Sequence, residues 1–115
     1  MKLYVLVRKD LSYIQQAVQA AHAASEYALH YDTWENGTLV LLGVKNERAL
    51  HYWRDAIESE NLAHKLFHEP DISADTALAF AYDESYAMDF KKQLDKKLSV
   101  LRMPEKELVE DLCVS

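Results

Sequence analysis

Apolar and polar positions along this chain follow two alternating rhythms. Lys2 to Arg8 (KLYVLVR) is a short apolar run rich in Val, Leu and Tyr, which at this length favours a buried strand over a helix. It stops at Arg8-Lys9-Asp10. Ser12 and Gln15 then form the S-x-x-Q pattern of a capping box. The pattern opens a helix that runs through Ala17, Val18, Ala21, Ser25, Ala28 and Leu29 to about His30. Asp32 to Gly37 carries turn residues, and Thr38 to Val44 (TLVLLGV) is the near-continuous apolar run expected of a central strand covered on both faces. Asn46 caps a second helix, in which Ala49, Leu50, Trp53, Ala56 and Ile57 recur at helical spacing until about Asn61. Lys65 to His68 reads as a short strand ending in Glu69-Pro70-Asp71, and Thr76 to Tyr82 (TALAFAY) as another.

The order β-α-β-α-β-β predicts an α/β fold, a three-layer α/β/α sandwich around a four-stranded mixed sheet. Right-handed crossovers make the first three strands parallel, and the short last link allows an antiparallel fourth. This unit spans residues 1–82. Beyond Asp83, Tyr86, Phe90, Leu94, Leu98 and Leu101 fall at helical spacing, and Pro104 opens a shorter segment containing Leu108, Val109 and Leu112. Residues 83–115 therefore read as two appended amphipathic helices, packed on the domain or at a subunit interface.

Composition narrows the function. The formal net charge of −6 tells against a surface built for non-specific nucleic-acid binding, so any RNA contact must come from a local patch. The single cysteine, Cys113, excludes an intramolecular disulfide and any Cys-based zinc motif, and suggests a reducing, cytoplasmic setting. No stretch is long and apolar enough to span a membrane. His22, His30, His51, His64 and His68 follow no known metal spacing, so neither a metal nor another cofactor is expected.

In an open α/β sheet, ligands usually sit beyond the C-terminal ends of the parallel strands. That rim collects Arg8, Lys9, Asp10 and Ser12 from the first strand and its turn, and Lys45, Asn46 and Arg48 from the second. The third and fourth add His68, Glu69, Asp71 and Thr76. Basic groups beside a helix N-terminus suit phosphate, although exposed charges at loop ends look the same in sequence. On the first helix Gln15, Gln19, His22 and Glu26 form a narrow polar stripe, with Ile14, Val18, Ala21 and Ala28 in another sector. The alanines around His22 suggest a core histidine bonded to a backbone carbonyl. Glu26, and the acidic cluster Glu69/Asp71/Asp75, read as solvated.

The run V-x-V-R-x-D from Val5 to Asp10, followed by A-x-Q-x-x-H-A-A from Ala17 to Ala24, resembles the opening of the type 2 peptidyl-tRNA hydrolases. The likeness continues through Trp34, the strand at Thr38 to Val44, the helix with Ala49 and Leu50, and the strand starting at Thr76. It implies a small α/β/α sandwich that cleaves the ester joining a peptide to tRNA, without a metal and often as a homodimer. Gln19 falls on the family's helix glutamine, Gln15 on its active-site lysine, and Thr76 on a later threonine. The family's Asp-Ala-Gly-x-Thr loop is replaced by Glu69-Pro70-Asp71. In a working version, Asp71 or Glu69 would position or activate water, and Gln15 with Gln19 would orient the carbonyl. Arg8, Lys9, Lys45 and Arg48, with Ser12 and His22, would bind the tRNA. An amide supplies only dipolar donors where an ammonium supplies fixed charge. A non-enzymatic binding or assembly module is therefore the competing expectation.

Overall fold

Parallel pairing of β1 (Lys2–Arg8) with β2 (Leu39–Val44) sets the frame, with Val5 opposite Leu41 and Arg8 opposite Val44. A computed structural model describes residues 1–82 and the pair Ser99–Val100. On its other side β1 runs antiparallel to β4 (Ala74–Tyr82), which in turn pairs antiparallel with β3 (His64–Glu69). The strands β1, β2 and β3 therefore point the same way. Their C-terminal ends and the start of β4 share one rim, as the element order predicts.

The sheet order is β3-β4-β1-β2-β5, where β5 is the pair Ser99–Val100 set against Leu42 and Gly43. Two expectations shift here. The central strand is β1, whose residues Leu3 to Val7 are all buried, whereas β2 begins at an exposed Leu39. Ser99–Val100 form a strand where the first appended helix was expected, and the rest of the two expected helices lies outside the described residues.

Each sheet face receives one helix. α1 (Tyr13–His30) covers β3, β4 and β1, and α2 (Glu47–Ser59) lies on the opposite face, mainly over β4. Both start where the sequence predicts. Ser12 Oγ accepts from the Gln15 backbone N–H at 3.2 Å, and Asn46 Oδ1 from that of Ala49 at 3.0 Å, each satisfying one of the donors a helix start leaves free. Among the described residues no helix is long and apolar enough to cross a membrane.

The two faces are filled differently. Under α2, Leu50, Trp53 and Ile57 meet Tyr4, Leu6, Leu42, Leu78, Phe80 and Tyr82, with the Tyr4 and Phe80 rings stacked at 5.4 Å. Burying a side chain of this size contributes about 1.5–3 kcal/mol. Under α1 the wall of β4 consists of Ala77, Ala79 and Ala81, so the helix approaches closely with Ala23 and Tyr27 turned inward.

Candidate functional site

The inward residues of α1 are Gln16, Gln19, Ala23 and Tyr27, at i, i+3, i+7 and i+11. The sequence left open which sector turns inward. Ile14 and Val18 are 46% and 40% exposed, Ala21 and Ala28 also face solvent, and Leu29 is 78% exposed, so the sector of Ile14, Val18, Ala21 and Ala28 faces away from the sheet. The reason is polar. At the rim the β1–α1 turn presents carbonyls and β4 a threonine that must be paired if buried, and the helix glutamines pair them. Gln16 Nε2 donates to the carbonyls of Leu11 at 2.8 Å and Lys9 at 3.4 Å, fastening the β1–α1 turn. Its Oε1 is buried and has no partner among the described residues.

Gln19 forms the centre of a relay. Thr76 Oγ1 donates to Gln19 Oε1 at 2.7 Å, and Gln19 Nε2 donates to Gln15 Oε1 at 3.3 Å. Thr76 and Gln19 are buried and Gln15 is exposed, so the relay runs from the β4 interior to an amide N–H2 group at the surface that has no partner among the described residues. Gln15 thus closes only half of the capping box, its side chain being turned to Gln19 rather than back to Ser12. His22 is exposed and lies flat on the Phe67 ring, with centroids 4.5 Å apart and planes within 1°; it is not the core histidine expected from its alanine neighbours.

The pairing of β3 with β4 shifts register between Phe67 and His68: Phe67 lies opposite Ala77 and His68 opposite Asp75. Thr76 is the extra residue. Such a bulge breaks strand alternation, so Thr76 reaches α1 while Asp75 reaches α2. There Asp75 accepts from His51 Nε2 at 2.7 Å and from His68 Nδ1 at 3.0 Å, and its backbone N–H donates to Glu47 Oε2 at 2.7 Å. Burial pushes the Asp75 carboxyl up, but the hydrogen bonds from the two imidazoles outweigh it and hold the group below the ordinary carboxylate range. Asp75 is therefore held by partners on α2 and β3, not solvated as expected. Glu47, His51 and Asp75 bring one potential ligand atom each within 4.8 Å of one another.

Arg8 is not available to a phosphate as expected. Its Nε and one terminal nitrogen donate to both oxygens of Asp10 at 2.9 and 2.8 Å, and the other terminal nitrogen donates to the Asp75 carbonyl at 3.2 Å. The bond to Asp10 raises the guanidinium pKa and, reciprocally, lowers that of Asp10. Lys9, Lys45 and Arg48 are exposed on the same rim and make no ion pair among the described residues. Asp71 is exposed and Glu69 half-buried; neither is hydrogen-bonded to the glutamine relay. The structure thus joins Gln15, Gln19 and Thr76, with Ser12 at the helix start, and leaves the two turn carboxylates apart.

The sequence reading missed Gln16 and His51. Glu47 and His51 stand at i, i+4, which puts them on one face of α2, but nothing in that spacing shows that Asp75 will meet them.

Comparison with known proteins agrees with this architecture. A family model described as Peptidyl-tRNA hydrolase PTH2 matches residues 1–95. No curated protein sequence matches the chain. Among solved structures, a protein of unknown function from Agrobacterium tumefaciens superposes with a TM-score of 0.65 at 13% identity, covering 88% of this chain and 97% of that one. At that identity the likeness speaks for the fold alone. With the family match covering most of its length, the chain belongs to the peptidyl-tRNA hydrolase PTH2 family.

Proposed function

We propose that the protein binds a tRNA-linked ester at the rim where α1 starts, and hydrolyses it in the cytoplasm. The observation that carries this reading is the Thr76–Gln19–Gln15 relay, whose direction leaves the Gln15 amide donors facing outward. A carbonyl oxygen placed there receives a hydrogen bond from a group whose orientation is fixed two residues deep. Such preorganisation stabilises the negative charge that develops on the oxygen as water adds. Asp71 or Glu69, in the β3–β4 turn on the same rim, positions or activates that water. Lys9, Lys45 and Arg48 hold the RNA backbone, while Arg8 orders the rim through Asp10 and the Asp75 carbonyl. The exposed apolar side of α1, with Ile14, Val18 and Leu29, supports a homodimer.

A second reading has its own support: the relay contains no charged group, so it suits recognition of an acylated tRNA end without turnover. The test is to incubate the purified protein with an N-acetylated aminoacyl-tRNA and follow ester loss above the spontaneous rate. Excess loss that falls in Gln15→Ala supports the enzyme. Retained tRNA binding without excess loss, in both the native protein and Gln15→Lys, establishes the binding module instead.

A further inference from the structure

The carboxylate cluster on the α2 side of the bulge is used by neither the relay nor the RNA-binding groups. We propose that Glu47, His51 and Asp75 form a site for one divalent transition-metal ion of the zinc type, with water completing its shell. The donor set is imidazole nitrogen with carboxylate oxygen, which suits borderline divalent ions better than magnesium or calcium, whose shells are all oxygen.

Geometry supports it. Glu47 and His51 come from consecutive turns of α2 and Asp75 from beside the bulge in β4, so two packed elements fix the donors. The ligand atoms of Glu47, His51 and Asp75 already lie within 4.8 Å of one another, and His68, bonded to the other Asp75 oxygen at 3.0 Å, holds that carboxylate in place. Metal–ligand bonds of about 2.0–2.2 Å place ligand atoms of a tetrahedral site roughly 3.3–3.6 Å apart. The His51–Asp75 contact of 2.7 Å therefore opens by less than an ångström when the ion enters. His51 shifts its ring proton to Nδ1 and offers the Nε2 lone pair to the metal.

Charge points the same way. Asp10, Glu47 and Asp75 bring three carboxylates to this corner and Arg8 one guanidinium, an excess of two carboxylates. A dication cancels them. Arg8 does not compete for the donors, because it binds Asp75 through the backbone carbonyl and leaves the carboxylate to the imidazoles. The His51 and His68 side chains are 36% and 58% exposed, which gives the ion a path in and leaves room for water in its shell.

The experiment is a titration of untagged, chelator-treated full-length protein with Co²⁺, read by visible absorption, followed by competition with Zn²⁺. The expected result is one Co²⁺ per chain with the intense d–d bands of a four- or five-coordinate site, lost stoichiometrically on adding Zn²⁺. His51→Ala and Glu47→Gln each weaken binding at least tenfold, and His30→Ala, an exposed histidine on α1, leaves it unchanged. Circular dichroism of each variant shows that the fold persists. If His51→Ala fails to fold, His51→Gln, which keeps a polar side chain of similar size, takes its place with the same expected weakening. Absence of saturable binding at millimolar Co²⁺, a thiolate charge-transfer band from Cys113, or undiminished affinity in the folded ligand variants overturns the proposal. None of these outcomes depends on ester hydrolysis, so the metal site and the proposed function stand or fall separately.

Discussion

The hydroxyl of Thr76 donates to the Gln19 amide oxygen at 2.7 Å, tying β4 to α1 across 57 positions of the chain. Both residues are buried, so neither can exchange this bond for water. Thr76→Val leaves Gln19 Oε1 without its donor and is expected to cost about 1–3 kcal/mol. Gln19→Leu strands the hydroxyl instead. The double variant removes both polar groups and should cost clearly less than the sum of the singles, with a coupling of roughly 0.5–3 kcal/mol. Urea unfolding of the four proteins measures this directly, and strictly additive losses would mean that the bond does not join the elements.

Gln15 occupies the surface end of the same relay, at the position where the family's lysine falls by alignment on His22. Gln15→Lys places a full positive charge where the amide offers only partial charge. A complete oxyanion donor is worth about two to three orders of magnitude in rate. Replacing a dipolar donor with a charged one is expected to recover part of that, at least about tenfold in ester hydrolysis at saturating substrate. An unchanged rate constant would show that a carbonyl does not sit against residue 15.

What the sequence disclosed and what it hid follow one physical division. Elements whose signals are local were readable: the Val/Leu run of β1, the caps Ser12 and Asn46, and the Leu50–Trp53–Ile57 period of α2 all lie in the structure where the pattern puts them. The inward face of α1 was not readable. Alanine fits either side of a helix, and the need for Gln16 and Gln19 inside arises from the carbonyls of Lys9 and Leu11 and from Thr76, which belong to other elements. The site divides likewise. Gln15, Gln19 and Thr76 came together as their positions suggested, but the capture of Arg8 by Asp10 and the meeting of His51 with Asp75, 24 positions apart, depend on where strands end and on one bulge.

The orientation of α1 makes a sharp comparison possible. Tyr27 is fully buried, with its hydroxyl paired to Thr33, and packs against the alanine wall of β4. Tyr27→Ala is expected to destabilise by about 3–5 kcal/mol, as truncation of a buried aromatic does. Val18→Ala, on the exposed side, should change stability by less than about 0.5 kcal/mol in dilute monomeric protein. Thermal or urea unfolding decides; a larger loss for Val18 than for Tyr27 would turn the helix over.

The Arg8–Asp10 pair gives the rim a pH dependence of known sign. Its bond to Arg8 lowers the Asp10 carboxyl in the folded state, so the pair contributes stability above the unfolded carboxyl value of about 4, and this is lost as pH falls through the lower folded value. Asp10 is 39% exposed, and screening by solvent limits the effect to below about 1 kcal/mol. Asp10→Asn should therefore be slightly less stable than the native protein at pH 7 and equal to it near pH 2. A difference that grows as the pH is lowered would contradict the pairing.

Among the described residues three exposed cations remain on the rim once Arg8 is engaged: Lys9, Lys45 and Arg48. In an acidic protein, tRNA affinity has to come from a patch of this kind, because each neutralised phosphate releases condensed counterions and leaves a measurable salt dependence. Each contact contributes about 0.7–0.9 to the slope of log affinity against log salt, the lower value for single strands. Lys45→Ala and Arg48→Ala should each weaken tRNA binding and reduce that slope by nearly one contact. Lys65→Ala, at the start of β3 and so at the end of the sheet opposite the rim, should do neither. Arg8→Gln separates the two roles of the cations: it should leave the salt slope intact while lowering stability, since its guanidinium is bound to Asp10 and to the Asp75 carbonyl. Filter-binding titrations between about 50 and 200 mM salt read the slopes. A slope lowered by Arg8→Gln but untouched by Lys45→Ala and Arg48→Ala would move the RNA path from the β2–α2 turn to the β1–α1 turn.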